Sequence, residues 1–103
     1  MPEPDAIAAV ALLPTDQGGR AGPTPDEWFG CVLAMSSGKY DVRLKLDRAL
    51  VPGSTRRVAV YFLDPANAKR GLAPGTQFDL WEGGTIGFGR IEKVCTAGSL
   101  AAE

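Results

Sequence analysis

The chain has 103 residues, 45% of them hydrophobic and 22% charged, which predicts one ordinary globular domain with a single core. Its 11 basic and 12 acidic residues give a formal net charge of -1, so no whole-molecule field attracts nucleic acid or a membrane surface. Histidine, the commonest general base at neutral pH and the commonest metal ligand, does not occur. We therefore expect no enzymatic activity, no metal and no cofactor.

Six apolar stretches, separated by turn residues, predict six β-strands in chain order. They cover residues 6–13, 28–35, 40–46, 57–63, 77–81 and 85–95. No stretch shows a sustained 3.6-residue period with helix caps, so we expect no helices between the strands. The alternation within the strands predicts a core that includes Val42, Leu44, Leu46, Val58, Val60, Phe62, Phe78, Leu80 and Ile86.

Short strands at this spacing favour antiparallel pairing, in a sandwich or in a small closed barrel. A six-stranded closed barrel is the better prediction because it leaves no exposed sheet edge. Gly83 and Gly84 are expected to supply the positive φ angles of a tight hairpin between the last two strands. Gly87 and Gly89 share one face of the last strand, where a bend or a close backbone approach explains them. From Gly98 onward we expect a frayed tail.

Cys31 and Cys95 lie too far apart in the sequence for a redox Cys-x-x-Cys pair, and two cysteines are too few for a zinc site. Two buried, reduced thiols are favoured over a disulfide. Neither a secretory signal nor an apolar segment of about 20 residues is present. We therefore expect a cytoplasmic protein that does not bind membranes.

Four motifs occur in a characteristic order. They are Leu12-Leu13 with DQGGR at 16–20, LVPG at 50–53, LAPGTQFDL at 72–80 and WEGGTIGFG at 81–89. Together they resemble the third, C-terminal domain of bacterial elongation factor Tu, over about residues 8–94. The resemblance implies a six-stranded antiparallel barrel and partners in or near the translation machinery. The family's GTPase phosphate loop has no counterpart in this chain, so we expect no nucleotide binding.

In that family the third domain also contacts the T-stem of aminoacyl-tRNA. The resemblance assigns Arg20 to the arginine of the family's Gly-Gly-Arg-His loop, and Glu82 and Gly83 to the Glu-Gly of its hairpin. Ala21 replaces the family's histidine, and the arginine that follows the family's hairpin is missing. Because such contacts are mainly electrostatic, the resemblance implies at most a weakened tRNA interaction. The loop at 18–20 could also bind an anion through its backbone N–H groups, although it more often only turns the chain.

The densest charge lies between residues 39 and 57, where six basic residues accompany two acidic ones. Arg43 and Lys45 share one side of a strand, and Tyr61 could lie beside Arg57 if the strands pair. A basic surface with an aromatic platform is typical of single-stranded RNA binders. The alternative, which we favour, is a solvated barrel exterior.

Trp28 and Trp81 lie near strand ends. Packing in the core or at its rim explains them most simply, but an exposed tryptophan is also a natural interface anchor. The leading hypothesis is a stand-alone, non-catalytic module that binds a protein partner through its loop end. The alternative is an accessory protein that binds RNA or tRNA through the local basic surface.

Overall fold

Six strands form a closed antiparallel barrel in the computed structural model, which describes residues 3–95. The strands are β1 Ala6–Leu12, β2 Trp28–Met35, β3 Gly38–Lys45, β4 Thr55–Phe62, β5 Gln77–Trp81 and β6 Thr85–Val94. Around the barrel their order is β1-β4-β3-β2-β5-β6. The prediction of an all-β, six-stranded antiparallel closed barrel is therefore confirmed. The predicted tail from Gly98 lies outside the described residues.

The expectation of no helices between the strands was wrong at two places. A short 3-10 turn covers Thr15–Gln17, and a one-turn helix, α1, covers Pro65–Ala68 between β4 and β5. Pro65 stands in the first turn, where its missing N–H is not needed. A single turn is too short for an apolar period to show in the sequence. Within residues 3–95 the structure contains no helix with the length and apolar character needed to cross a membrane.

Alternating burial along the strands fills the interior of the barrel. All nine residues predicted for the core are at most 6% exposed. The continuous apolar run of β1 also alternates, because Ala6, Ala8, Val10 and Leu12 point inward and the residues between them lie half-buried on the outer wall. The largest fully buried side chains comprise five of the predicted residues together with Val10, Leu33, Leu50 and Ile91.

The backbones of β1 and β6 approach each other closely at two glycines. A Cβ atom on Gly87 would lie 2.3 Å from the carbonyl oxygen of Ala11, and one on Gly89 would lie 2.4 Å from that of Ala9. The prediction of a close approach is confirmed. In the β5–β6 hairpin only Gly83 has a positive φ, of 70°, so the expectation that Gly84 needs one as well was wrong.

Asp5, Lys69 and Cys95 join three segments at one end of the barrel. The carboxylate of Asp5 accepts a hydrogen bond of 2.8 Å from the backbone N–H of Phe62. Lys69 Nζ lies 3.7 Å from the other carboxylate oxygen and donates to the carbonyl oxygen of Cys95 at 2.7 Å. These contacts hold the segment around α1 against the ends of β1 and β6.

Candidate binding surface

The strand register arranges the outward-facing residues of β2, β3 and β4 in rows. Gly30 on β2 lies opposite Arg43 on β3, and Arg43 lies opposite Tyr61 on β4. Arg57 and Tyr61 lie on the same strand, β4, four residues apart, so the suggestion that Tyr61 lies beside Arg57 was wrong. Cross-strand neighbours depend on the register, which one strand's own sequence does not determine.

Trp28 lies one row away, opposite Lys45. Its ring meets that of Tyr61 edge to face, with 5.3 Å between the centroids. Lys45 Nζ lies 5.2 Å from the centroid of the Trp28 ring, within the range of a cation–π interaction. The same ammonium group lies 2.6 Å from the carboxylate of Glu27. Trp28 is thus a half-buried outer-wall residue, whereas its neighbour Phe29 belongs to the core.

Trp81 stands on the same wall at the end of β5, opposite Val32 of β2. Lys39 Nζ lies 5.0 Å from the centroid of its ring. Leu63, just after β4, is 64% exposed, and its backbone N–H donates to the carbonyl oxygen of Asp41 at 3.0 Å. The two predicted interface anchors, Trp28 and Trp81, therefore lie on the side wall of the barrel.

A depression of about 560 Å³ opens in this wall. We call it the Gly30 notch. The residues that line it and bear on its chemistry are Gly30, Val32, Asp41, Arg43, Leu63, Trp81 and Glu82.

The basic residues between 39 and 57 do not form one patch. Arg57 is 73% exposed and pairs with Glu92 of β6 at 2.6 Å, and its partner across the strands is Ala9 of β1. Arg56 donates to the carbonyl oxygens of Arg48 and Ala49 at 2.6 and 3.1 Å. The side chain of Arg57 thus reaches across β1 to β6, away from β3, which carries Arg43 and Lys45.

Arg20, Glu82 and Gly83, which the resemblance had assigned to one site, do meet in the structure. Together with neighbouring residues they line a cleft of about 330 Å³ between the 18–21 loop and the β5–β6 hairpin. The Arg20 guanidinium lies 5.2 Å from the centroid of the Phe29 ring and 3.5 Å from the carboxylate of Glu82. Its Nε and Nη1 atoms are buried without a hydrogen-bond partner among the described residues. The negative charge of the Glu82 carboxylate disfavours binding of an anion in this cleft.

Cys31 and Cys95 are both buried and free, as predicted. Burial, together with the negative charge of Glu82, raises the pKa of the Cys31 thiol to about 12. The thiol therefore stays protonated at neutral pH and is a poor nucleophile. Within residues 3–95 no group of three or more acidic or cysteine side chains is placed to hold a metal ion.

A second depression, of about 580 Å³, lies on the part of the outer wall formed mainly by β1, β5 and β6. Phe88, which is 53% exposed, borders it, and Ala9, Ala11 and Gly89 contribute to its lining. No sequence pattern identified this surface or the Gly30 notch in advance. A glycine between Phe29 and Cys31, in a segment rich in strand-forming residues, was the signal that could have indicated the notch.

Comparison of the chain with models of known protein families found no match, and comparison with curated proteins found no significantly similar one.

Proposed function

We propose that this protein is a non-catalytic interaction module that binds a protein partner through the outer wall formed by β2, β3 and the end of β5. The supporting observation is the pair of tryptophans, Trp28 and Trp81, that share this wall with the exposed Leu63. A lysine lies over each tryptophan ring, at 5.2 and 5.0 Å. Binding energy at protein interfaces concentrates in such aromatic anchors.

The distribution of charge favours a protein partner over RNA. Lys45, Arg57 and Arg20 each have a carboxylate within 3.5 Å. Affinity for nucleic acid depends on cations that neutralise phosphates, and a cation with a carboxylate beside it contributes less. The second candidate function is nonetheless RNA binding, since Trp28 and Tyr61 form an aromatic pair close to Arg43.

We further propose that the partner belongs to the translation machinery of the cytoplasm. This part of the proposal depends on the four motifs that resemble the third domain of elongation factor Tu. A six-stranded closed barrel is compatible with that relationship, but fold likeness alone carries little information about function.

The test is recovery of the partner from the native cell with the wild-type protein, followed by binding measurements on variants. We expect Trp81→Ala and Trp28→Ala to weaken binding at least about tenfold, as truncation of an interface anchor does. Phe88→Ala is the matched control, because Phe88 is an exposed aromatic that lines the second depression and not the Gly30 notch. Loss of binding with Phe88→Ala, and not with the tryptophan variants, would contradict the proposed surface.

The RNA alternative is tested with a single-stranded RNA oligonucleotide and with tRNA. If RNA is the ligand, affinity falls steeply with rising salt, and charge reversal at Arg43 and Lys45 makes that dependence shallower. We expect no such binding in the low micromolar range. Salt-sensitive binding that the reversal abolishes would replace the protein-binding proposal.

A further inference from the structure

Gly30 has no role that the fold explains. It lies within β2, where a glycine lowers stability relative to residues with a side chain. Its φ is not positive, and a Cβ atom on Gly30 would have no neighbour within 4 Å. Gly87 and Gly89 differ in this respect, since the backbone of β1 leaves no room for a side chain there. β2 pairs with β3 without a register shift, so no bulge explains Gly30. A bend of the barrel wall and close approach of a ligand or another chain are the remaining common reasons for a glycine there.

The missing side chain opens the Gly30 notch. Along the outer side of β2, Gly30 stands between the half-buried Trp28 and Val32. β5 pairs with β2 only at Val32, Leu33 and Ala34, so no β5 residue is paired beside Gly30. The notch is therefore open above Gly30 and is bordered by Trp81 and Glu82 at the start of the β5–β6 hairpin.

Arg43 gives the notch its main recognition group. It lies directly opposite Gly30, is exposed, and has no ion-pair partner among the described residues. The outward side of β3 carries three cations and one acid, namely Lys39, Arg43, Lys45 and Asp41. Glu82, the other acid that lines the notch, lies 3.5 Å from Arg20. Lys45 pairs with Glu27 and does not line the notch. Apart from Glu82 and its partner Arg20, the charges left at the notch are Arg43 and Lys39, which lies over the Trp81 ring, against Asp41. This excess of one positive charge complements an anion.

Trp81 and Leu63 add apolar surface to the same depression. A ligand that used the whole notch would therefore present a negative group next to a large apolar one. Protein segments offer this combination wherever Asp or Glu neighbours an aliphatic or aromatic residue.

We propose that the Gly30 notch receives an acidic side chain of the partner protein, from a segment in which that residue adjoins a large apolar one. The carboxylate pairs with the guanidinium of Arg43, whose planar fork suits two parallel hydrogen bonds to a carboxylate. The adjoining apolar side chain packs on Trp81 and Leu63. This inference rests on the proposed function, because it names the chemistry of the partner that binds this wall.

The experiment selects phage-displayed random dodecapeptides on the wild-type protein and measures the enriched peptides on variants. We expect Asp or Glu next to a large apolar residue in the enriched sequences. Gly30→Leu fills the notch and should weaken peptide binding at least tenfold, and Arg43→Gln should do the same. Gly22→Leu is the matched control, because Gly22 also has open space around a Cβ atom and an ordinary φ but lies outside the notch.

Thermal unfolding shows whether the variants fold, and Gly30→Leu should be at least as stable as the wild type. Equal binding by Gly30→Leu and Gly22→Leu overturns the inference, as does a consensus without an acid or a failure to enrich any peptide. The inference also fails if single-stranded RNA binds the wild-type protein and Gly30→Leu blocks that binding, because the notch would then be an RNA site. If the native partner is lost with Trp81→Ala but retained with Gly30→Leu, the notch inference fails while the proposed function stands. If both variants retain the partner, the proposed function fails too.

Discussion

Replacing Gly87 by alanine tests the close approach of β1 and β6. The new Cβ atom would lie 2.3 Å from the carbonyl oxygen of Ala11 and 3.2 Å from the Cα atom of Leu12. Both atoms belong to backbone, so rotation of a side chain cannot relieve the overlap. The two strands must separate by several tenths of an ångström or more.

This separation acts on paired backbone, since Gly87 lies opposite Leu12 and Phe88 lies opposite Ala11. Overpacking in a well-packed site costs about 1 to 3 kcal/mol. Weakening one or two neighbouring hydrogen bonds adds roughly 0.5 to 1.5 kcal/mol each. We therefore expect Gly87→Ala to lower the free energy of unfolding by about 2 to 5 kcal/mol, which is a large share of the roughly 5 to 15 kcal/mol available to a domain.

Urea denaturation followed by tryptophan fluorescence measures this change. Gly30→Ala is the control, because its Cβ atom has open space and the substitution removes the mid-strand penalty of a glycine. It should raise the unfolding free energy by about 0.5 to 1 kcal/mol. A Gly87→Ala protein within 0.5 kcal/mol of the wild type, on the order of the usual effect of a surface substitution, would refute the reasoning.

Three further predictions concern the core, the buried thiol and the contacts around α1. Phe62→Ala should lower the free energy of unfolding, measured by urea denaturation, by about 3 to 5 kcal/mol, because Phe62 is 6% exposed and its ring meets that of Tyr40 edge to face. A loss below about 1 kcal/mol would place Phe62 outside the core. The pKa of Cys31 rises from 9.0 to about 12, so above pH 9 the unfolded chain loses this proton first. The free energy of unfolding should then fall by up to about 1.4 kcal/mol per pH unit, and it should fall less steeply in Cys31→Ala. Equal slopes in the two proteins would show that the Cys31 thiol does not cause the pH dependence. Lys69→Met removes the donor to Cys95 and should cost about 1 kcal/mol, with faster amide exchange around α1; unchanged exchange would contradict a role in holding that segment.

Much of the fold could be predicted because strand alternation is a local property. The alternation of β3 and β4 identified Val42, Val60 and Phe62 as core residues, and all three are buried. In β1 the alternation was hidden, since small apolar residues occupy both faces. An outer wall of Ile7, Ala9 and Ala11 cannot be told from an inner one by polarity alone.

The candidate site depends on how distant strands meet, and this information is not local. Tyr61 was expected beside Arg57, which lies four residues away on the same strand, whereas the β3–β4 register places Arg43 opposite it. The notch beside Gly30 exists because β5 pairs only as far as Val32 of β2. A sequence motif can mark an unusual glycine, but it cannot show what the neighbouring strand leaves uncovered.

The position of β1 in the barrel also has a consequence for synthesis on the ribosome. The β2–β3 hairpin can form as soon as its own residues have emerged, since its strands are consecutive. β1 has to wait, because its neighbours are β4 and, last of all, β6. Until Val94 emerges to pair with Ala6, at least one edge of β1 has no partner, and the apolar interior remains open to solvent or to a chaperone. The barrel can therefore close only after β6 has emerged, and a nascent chain stalled before β6 should be sensitive to protease and prone to aggregate.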